Sequence, residues 1–519
     1  MNSIIEAVCE HAQADPERVA ILFEGETISY GALWADVERF ARGLRSWGAQ
    51  PEDRVALFLE NRPQFVVAYL GAHLARCIAV LVNTQYRQVE LGHILNDAGV
   101  RLCVTSPADA EELAAISAPS LEALILVGNE GETKNADAAQ TPERIGFDEW
   151  LTRGAGDAET GAPLTMPTPD ASAVLGYTSG TTGRAKGALL LQRNLLANIQ
   201  AIIQAWRWTV DDRLLLTLPL FHAHGLMVGV HGTLLTGASV VLRRKFDASD
   251  VLTTINSDPL ITMFFGVPTM YGRLLAETEH LDAPPRQLRL YVSGSAPLSP
   301  QVFAEFERVF GQRILERYGM TETIMNMTNP YDGERRPGTV GAPYLGQEAR
   351  VVGVTDRQPL QDGEIGEIEV RGPNVFAGYW NRPDATAEAF SADGWFKTGD
   401  LGWRSADGYY TITGRARELI ISGGYNIYPR EVEDVLAEHP AVVEVAVLGA
   451  PDADLGEQVV AVIVPKEGQT PDAAEIITYC RERLASYKKP RQVVFVDSLP
   501  RTALGKVQKH LLAERLKNQ

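Results

Sequence analysis

The chain is organised around the stretch Tyr177-Thr-Ser-Gly-Thr-Thr-Gly-Arg-Ala-Lys-Gly187, which packs five hydroxyl side chains, three glycines and two cations into eleven residues. Glycines let a backbone approach a ligand closely, and hydroxyls with successive N–H groups form an anion-binding concavity. Lys186 adds a movable positive charge. The stretch is not a Walker A loop, because Gly187 follows Lys186 where that motif has Ser or Thr. The stretch therefore predicts a loop that binds a polyphosphate.

The segments around this loop predict the fold class. Ala173–Tyr177 is an apolar run that predicts a strand, and Gln192–Trp206 has helical periodicity. We therefore expect the order strand, loop, helix around residues 177–187. Residues 1–105 alternate helical and strand patterns, which implies largely parallel sheets with helices on their faces. The expected class is α/β.

Later segments have other periodicities. From about residue 340 to 413 apolar and polar residues alternate with a period of two, as in Gly366-Glu-Ile-Glu-Val-Arg-Gly372. This periodicity predicts a small, largely antiparallel β subdomain. Beyond Arg417 a mixed pattern predicts a compact α+β domain. Residues 128–171 contain few large apolar groups and predict a surface connection.

Composition excludes some classes of protein. A chain of 519 residues is too long to fold around one ordinary hydrophobic core, so at least two domains are expected. The net charge of −18 argues against nucleic acid or an anionic membrane as the main partner. The longest apolar stretch, Phe65–Val82, is interrupted by His73 and Arg76, and predicts a buried helix running into a strand rather than a membrane span. No signal peptide is visible. We expect a cytoplasmic protein, and leave monomer or homodimer open. Reduced thiols are expected at all four cysteines, which show no metal spacing: Cys9, Cys77, Cys103 and Cys480.

Five motifs in order carry a family resemblance. Besides the phosphate loop they are Arg317-Tyr-Gly-Met-Thr-Glu-Thr323, Gly394-Trp-Phe-Lys-Thr-Gly-Asp400, Gly414-Arg-Ala-Arg-Glu418 and Pro500-Arg-Thr-Ala-Leu-Gly-Lys506. Over essentially its whole length the chain resembles the AMP-forming adenylating enzymes, the superfamily of acyl-CoA synthetases, peptide-synthetase adenylation domains and luciferases. These enzymes activate an acid with ATP and Mg²⁺, and the CoA synthetases among them transfer it to coenzyme A.

The resemblance also implies a domain organisation. It predicts a large N-terminal adenylation domain of mixed and parallel sheets with helices, at residues 1–414. This domain includes the β subdomain at about 340–413. A small, mobile α+β lid domain follows at 415–519, with the hinge at Gly414–Arg417. Arg417 is a departure, because the family usually has Asp or Lys at that position. Ala185 is a second departure, since the family usually has Pro, and we expect it to loosen the phosphate loop slightly.

The resemblance assigns the nucleotide site. Glu322 would hold Mg²⁺, which prefers oxygen ligands, together with Thr181. Thr321 would contact the α-phosphate, and Tyr318 would stack on adenine. Asp400 would accept both ribose hydroxyls, a task that suits an ionised carboxylate, with Arg415 beside it. The remaining predicted nucleotide contacts are Thr178, Ser179, Gly180, Thr182, Lys186, Gly294, Ser295, Ala296, Glu316, Arg317, Gly319 and Met320.

Further assignments concern the chemistry and the second substrate. By resemblance Lys506 reaches the site only while the adenylate forms, where it bridges the acid and the α-phosphate. Gly423 and Gly424 would offer a backbone surface to the pantetheine arm of CoA. His222, with His224, lies in a segment that in the family separates the acid pocket from the CoA tunnel. Peptide-synthetase domains carry an Asp nearby, and its absence argues against an amino acid substrate.

The acid is the least determined part. Within the superfamily, Glu316–Gly338, Phe265–Tyr271 and Arg289–Pro297 look most like malonyl-CoA synthetases. A dicarboxylate needs a cation for its distal carboxylate, and Arg289 is the predicted one, while Met325 would shape a small pocket. Malonate or methylmalonate is therefore expected.

Several alternatives stay open. Within the enzyme class these are oxalate, a short- or medium-chain fatty acid or an aryl acid as substrate, or loading of a carrier protein. A non-catalytic nucleotide-binding protein is disfavoured because Glu322, Asp400 and Lys506 are all present. A hydrolase is disfavoured because no G-x-S-x-G elbow accompanies a triad.

Overall fold

The computed structural model describes residues 3–128, 142–157, 163–178, 184–279, 283–423, 425–452, 454–469, 471–502 and 505–517. The strands in this part of the chain are β1 (Val19–Phe23), β2 (Glu26–Ser29), β3 (Arg54–Phe58), β4 (Ile78–Leu81), β5 (Val100–Thr105), β6 (Ala123–Leu126), β7 (Glu143–Gly146), β8 (Ser172–Thr178), β9 (Lys186–Leu191), β10 (Arg213–Leu216), β11 (Ser239–Leu242), β12 (Met263–Gly266), β13 (Leu290–Ser293), β14 (Leu315–Tyr318), β15 (Met327–Thr328), β16 (Ala342–Pro343), β17 (Glu348–Val352), β18 (Gly366–Arg371), β19 (Gly378–Tyr379), β20 (Phe396–Arg404), β21 (Tyr410–Arg415), β22 (Ile420–Ser422), β23 (Tyr425–Ile427), β24 (Val442–Asp452), β25 (Gly456–Pro465) and β26 (Gln492–Phe495).

The α-helices are α1 (Ile4–Ala14), α2 (Tyr30–Trp47), α3 (Pro63–Leu74), α4 (Gln88–Ala98), α5 (Pro107–Ala114), α6 (Phe147–Asp157), α7 (Gln192–Trp206), α8 (His231–Thr236), α9 (Ala248–Ser257), α10 (Pro268–Thr278), α11 (Pro300–Phe310), α12 (Pro383–Ala389), α13 (Pro429–Ala437), α14 (Ala473–Arg483) and α15 (Lys509–Lys517). A π-helical segment, His224–Val230, precedes α8, and a single 3₁₀ turn, Ala416–Glu418, follows β21.

Two large sheets form the body of the molecule. The first has nine strands in the order β16-β15-β14-β13-β12-β10-β11-β1-β2, and its six inner strands from β14 to β1 are parallel. The second has eight strands in the order β19-β9-β8-β4-β3-β5-β6-β7, and those from β8 to β7 are parallel. This confirms the predicted α/β class.

The apolar stretch Phe65–Val82 lies in the core. Helix α3 is buried at every residue except Gln64, and β4 lies inside the eight-stranded sheet, between β8 and β3. A helix covered on all sides needs no polar face, which is why its sequence is apolar all round. None of the helices in the described ranges is long and apolar enough to cross a membrane.

The structure corrects the order predicted around the phosphate loop. β8 is followed by a second strand, β9, which runs antiparallel to it and pairs Thr178 with Lys186 and Tyr177 with Gly187. Helix α7 begins only after β9. The two strands therefore form a hairpin, which we call the phosphate hairpin (residues 172–191). The apolar residues 188–191 form a strand because β8 lies beside them as a pairing partner.

Within residues 128–171, for which composition predicted a surface connection, the described residues 142–157 form a strand and a helix. β7 joins the edge of the eight-stranded sheet, and α6 packs on α2 through Trp150, which is fully buried. The indole Nε1 of Trp150 donates a hydrogen bond to the Phe40 carbonyl over 3.3 Å. Phe147 and Leu151 of α6 are buried with Trp150, so the helix packs on the core through these three side chains.

Two smaller sheets follow in the chain. β17, β18, β20 and β21 form an antiparallel sheet, as the period-two pattern predicts. The mixed sheet β23-β22-β25-β24, with β26 alongside β25, forms the core of the C-terminal α+β region. Between the two sheets lies the turn Ala416–Glu418, next to the predicted domain boundary.

Candidate active site

The predicted site residues converge at the carboxyl ends of parallel strands. Gly294–Ala296 follow β13, residues 319–322 follow β14, and His222 and His224 follow β10 in the same sheet. Strands of the second sheet reach the same place, since a Cβ on Gly176 of β8 would lie 2.5 Å from Cγ2 of Thr321. Ligands of open α/β sheets bind at this edge. The structure therefore brings the phosphate hairpin and the 319–322 turn together.

A carboxylate and two donors join the nine-stranded sheet to the small antiparallel sheet. The Tyr318 hydroxyl donates a hydrogen bond to Oδ2 of Asp400, and Nε of Arg415 lies 2.6 Å from Oδ1. Asp400 and Arg415 face each other in register on β20 and β21. Burial opposes the charge of Arg415, but Asp400 raises the pKa of Arg415 above its usual value. Asp400 is thus held between Arg415 and the Tyr318 hydroxyl, a position that fits the predicted ribose-binding carboxylate.

A second cluster surrounds Glu322. Its carboxylate is buried and accepts a hydrogen bond from the Tyr379 hydroxyl over 3.0 Å, and burial raises its pKa. The Lys186 ammonium lies 5.2 Å from the centre of the Tyr379 ring. β19, which carries Tyr379, pairs with β9 of the phosphate hairpin. Tyr379 therefore connects the predicted metal ligand with the predicted phosphate lysine.

The residues present fit a magnesium ion held mainly by phosphate. No group of three His, Cys, Asp or Glu side chains within the described residues could hold a metal ion alone. Mg²⁺ takes one or two carboxylates and completes its coordination with phosphate oxygens and water. The buried carboxylate of Glu322 suits that mode.

The turn after Glu322 holds strained backbone. Ile324 has φ of 59°, a conformation that is a genuine outlier for a β-branched residue. Nδ2 of Asn374 donates to the Thr323 carbonyl over 2.7 Å, and Nδ2 of Asn198 donates to the Met325 carbonyl over 2.7 Å. Strain of this kind persists only where surrounding bonds enforce it, and it concentrates at functional sites.

Arg317 points away from Asp400, the predicted ribose carboxylate. Neighbouring residues on a strand point to opposite faces, so Tyr318 faces Asp400 while the Arg317 guanidinium packs on Gly294, where a Cβ would lie 2.4 Å from Cζ. Arg317 is 3% exposed, and its Nε and Nη2 have no hydrogen-bond partner among the described residues. Burial lowers the pKa of Arg317 to about 10, so the group stays charged near neutral pH.

His224 lies near this cation, and His222 lies near His224. Burial lowers the pKa of His222 to about 4, and burial with the charge of Arg317 holds the pKa of His224 well below its usual value. His224 stacks on Phe265 with ring centres 5.9 Å apart. Both imidazoles are therefore neutral at physiological pH. Glu316 on β14 is also buried, and burial raises its pKa to about 8.

The structure contradicts the predicted role of Arg289. Its Nε lies 2.5 Å from Oδ1 of Asp212 and its Nη2 lies 2.7 Å from Oδ2, while Nη1 donates to the Trp206 carbonyl over 2.9 Å. Arg289 precedes β13 and so sits at the amino edge of the sheet, a four-residue strand away from Gly294. At about 3.3 Å per residue that is more than 10 Å. The prediction failed because strand direction, not proximity in sequence, decides which edge a residue occupies.

The C-terminal lysine lies over the nucleotide residues. A Cβ on Gly505 would lie 2.9 Å from Oγ1 of Thr269 on α10, so the 505–506 loop touches the N-terminal region. Desolvation of the ammonium and the nearby charge of Arg415 lower the pKa of Lys506, while Asp400 acts in the opposite direction. The structure thus places Lys506 beside the Asp400–Arg415 pair.

Some predicted residues cannot be placed. Ser179, Gly180, Thr181, Thr182 and Gly424 lie outside the described residues. Gly423 has φ of 57° and donates its N–H to the Leu455 carbonyl over 2.9 Å, and its role toward CoA stays a prediction. Met325 is buried in the main core, next to the strained Ile324.

Sequence reasoning missed Tyr379 and the two asparagines Asn198 and Asn374. Tyr379 belongs to a strand of only two residues, too short for any periodic signal. The asparagines act on carbonyl groups 127 and 51 residues away in the chain. For Asn198 the available signal was its place on the apolar face of helix α7, with Leu195 and Ile202, where an unpaired amide would be costly.

Comparison with known proteins agrees with this geometry. A model of the AMP-binding enzyme family matches residues 8–380, and a model of the AMP-binding enzyme C-terminal domain matches residues 431–506. The chain belongs to the AMP-binding enzyme family. It is an acid–thiol ligase that forms an acyl-adenylate with ATP, and its fold is that of the adenylating enzymes.

Relatives in this family differ in the acid they are named for. The chain is 38% identical over 488 residues to a sulfoacetate–CoA ligase from Cupriavidus necator, covering 93% of this chain and 92% of the relative. It is 32% identical over 567 residues to a malonate–CoA ligase from Arabidopsis thaliana, covering 100% and 90%. ATP-bound MatB from Rhodopseudomonas palustris superposes with a TM-score of 0.88 at 39% identity, covering 100% and 99%.

Proposed function

We propose that this AMP-binding enzyme joins malonate, or its close analogue methylmalonate, to coenzyme A. The observation that carries the proposal is the buried guanidinium of Arg317, which has two N–H-bearing nitrogens without a partner among the described residues. A buried charge without a partner is unfavourable, so such a group calls for an anionic ligand. A distal carboxylate is that ligand, and guanidinium binds it through two parallel hydrogen bonds.

The surroundings of Arg317 favour a short acid. The guanidinium packs on the backbone at Gly294, and its charge acts on His224, whose ring is stacked on Phe265. Gly294 and His224 follow strands β13 and β10, and Phe265 lies in β12. Arg317 lies near the end of β14, four and five residues before Thr321 and Glu322, and a short acid would reach from Arg317 to the turn that carries them.

The proposed chemistry has two steps. An oxygen of the near carboxylate attacks the α-phosphorus of ATP, the bond from that phosphorus to the bridging oxygen breaks, and pyrophosphate leaves. The CoA thiol then loses its proton, its sulfur attacks the acyl carbon, and AMP leaves. In the first step two anions meet, so Lys506 and Lys186 would offset their repulsion. Mg²⁺ held by Glu322 would neutralise phosphate charge.

Domain movement belongs to the same proposal. Lys506 lies beside Asp400 and Arg415, the arrangement needed for adenylation. Rotation of residues 415–519 about Gly414–Arg417 would remove Lys506 and bring Gly423 and Gly424 towards the pantetheine arm. The thiol would be that of CoA rather than of a carrier protein.

Sulfoacetate is the second candidate acid. It has a near carboxylate and a distal anion, and the relative named for it is 38% identical over 93% of this chain. A sulfonate has three acceptor oxygens in a tetrahedral array, whereas a carboxylate has two in a plane. Arg317 can serve either anion.

A panel of acids tests the proposal. Exchange of labelled pyrophosphate into ATP is measured without CoA for malonate, methylmalonate, sulfoacetate, oxalate, acetate, propionate, a medium-chain fatty acid and an aryl acid. We expect exchange with malonate at least about 100-fold above acetate, because a lost charge pair of this kind is worth about 3 kcal/mol. A preference for sulfoacetate selects the second candidate, and a preference for an uncharged chain overturns the distal-anion assignment.

A further inference from the structure

Helix α4, which lies outside the site described above, forms hydrogen bonds with the phosphate hairpin. Helix α4 presents His93 and Asp97, which are four residues apart and so share one face. Nε2 of His93 lies 2.7 Å from the Ala185 carbonyl oxygen, so Nε2 carries the proton and donates it. The Tyr177 hydroxyl donates to Oδ2 of Asp97 over 2.9 Å. Tyr177 and Ala185 belong to the two arms of the hairpin, so α4 holds both arms.

Asp97 also joins a third segment to this contact. Nη2 of Arg382 lies 2.5 Å from Oδ1 of Asp97, whose side chain is 10% exposed. Arg382 closely follows β19, and the N–H of Trp380 in between donates to the Gly187 carbonyl over 2.8 Å. The carboxylate of Asp97 thus has one oxygen on the hairpin and one on the segment that carries Tyr379, the partner of Glu322.

The position of the Tyr177 ring directs its hydroxyl towards helix α4. A Cβ on Gly187 would lie 3.1 Å from Cζ of Tyr177, so the ring lies across the glycine and extends to α4. The His93 ring meets the Tyr177 ring edge-on, with centres 6.2 Å apart. Burial, followed by the charge of Asp97, raises the pKa of Tyr177. The hydroxyl therefore remains a donor across the physiological pH range.

We infer that Asp97 and His93 are positioning residues for ATP binding, acting through Tyr177 and Ala185. The inference rests on the proposed function of the hairpin. Thr178 and Lys186 are partners in register, one residue beyond Tyr177 and Ala185 respectively. Fixing Tyr177 and Ala185 therefore fixes the direction from which Thr178 and Lys186 meet the triphosphate. Such preorganisation lowers the entropic cost of aligning ATP.

The test separates the two half-reactions of Asp97→Asn. The amide keeps the shape of the side chain but removes the charge that pairs with Arg382 and one of the two acceptor oxygens. We expect KM for MgATP in pyrophosphate exchange to rise about tenfold, the effect of one lost charge-assisted hydrogen bond. Thioester formation from preformed acyl-adenylate and CoA should not change, since pyrophosphate has already left at that stage.

Two further variants keep the test decisive. Tyr177→Phe removes only the hydroxyl and should give the same split, and the double variant should be no worse than Asp97→Asn, because both remove one contact. Asp148→Asn, on the surface of α6, is the matched control and should leave both half-reactions unchanged. Equal loss in both half-reactions, or additive effects in the double variant, would overturn the inference. Absence of exchange in the wild-type protein would instead overturn the adenylation chemistry.

Discussion

Two arginines on neighbouring strands of one sheet have opposite environments. Arg289, at the amino edge before β13, is saturated by Asp212 and the Trp206 carbonyl. Arg317, towards the carboxyl edge on β14, is more deeply buried, and two of its nitrogens have no partner among the described residues. The difference shows that a cation with a complete set of partners stabilises the fold, and one without them is available to a ligand.

The same contrast extends along both edges of the nine-stranded sheet. At the amino edge Asp212 also accepts hydrogen bonds from the Thr209 N–H and the Thr262 hydroxyl, over 2.8 and 2.7 Å. At the carboxyl edge lie neutral histidines, the strained Ile324 and the unpartnered Arg317. We therefore expect variants at the carboxyl edge to change chemistry and variants at the amino edge to change stability.

The largest effect should come from Lys506→Ala, which removes the lid cation from the carboxyl edge. Adenylate formation should lose about 3–4 kcal/mol of transition-state stabilisation, the scale of a preorganised charge. Single-turnover assays measure this loss, and thioester formation from preformed acyl-adenylate should be largely spared. Lys466→Ala, exposed in a turn of the same domain, is the control. Equal damage to both half-reactions would mean that Lys506 has no step-specific role.

The next effect tests the amino edge. Arg289→Ala should lower the unfolding free energy by about 3 kcal/mol, because it leaves the buried Asp212 carboxylate without its cation. Thermal unfolding measures the change, and the ratio of activities with malonate and acetate should stay as in the wild type. Arg308→Ala removes a fully exposed pair and should change stability little. If stability is unchanged and the preference for malonate is lost, Arg289 binds the acid after all.

Arg317→Leu should produce the reverse pattern. With malonate, the fall in kcat/KM should correspond to a loss of about 2–3 kcal/mol of transition-state stabilisation, because the distal carboxylate loses its charge partner. Acetate, which has no distal group, should be used as well as before or better. The measurement is kcat/KM for both acids, with unfolding temperature as a check on the fold. Equal losses with the two acids would contradict a contact to the distal group.

The smallest effect concerns the link between Glu322 and Lys186. Tyr379→Phe removes the hydroxyl that donates to Glu322 and keeps the ring below Lys186. We expect a loss of about 1 kcal/mol, seen as a several-fold higher Mg²⁺ concentration for half-maximal activity. Tyr479→Phe on the lid surface is the control. If the Mg²⁺ requirement is unchanged, Tyr379 does not tune the metal ligand.

Much of the fold followed from local pattern. The helix Gln192–Trp206 has the predicted bounds, and the stretch Phe65–Val82 contains a buried helix followed by a strand, as predicted from its apolar sequence. The hairpin at 172–191 and helix α6 were mispredicted. In the first case a strand at 186–191 was overlooked because lysine and glycine begin it, and in the second three buried side chains, Phe147, Trp150 and Leu151, anchor a segment that is mostly polar.

The sequence by itself determined which chemical groups the protein brings to its substrates. The hydroxyl, glycine and lysine content of residues 177–187 predicts polyphosphate, and Glu322, Asp400 and Lys506 carry recognisable motifs. Only the tertiary structure decided which arginine is free. Arg289 and Asp212 are 77 residues apart in the chain, and they meet because β10, β12 and β13 are parallel neighbours that share an amino edge. The direction of strands and the pairing of buried charges are properties of the assembled sheet, which no local sequence pattern contains.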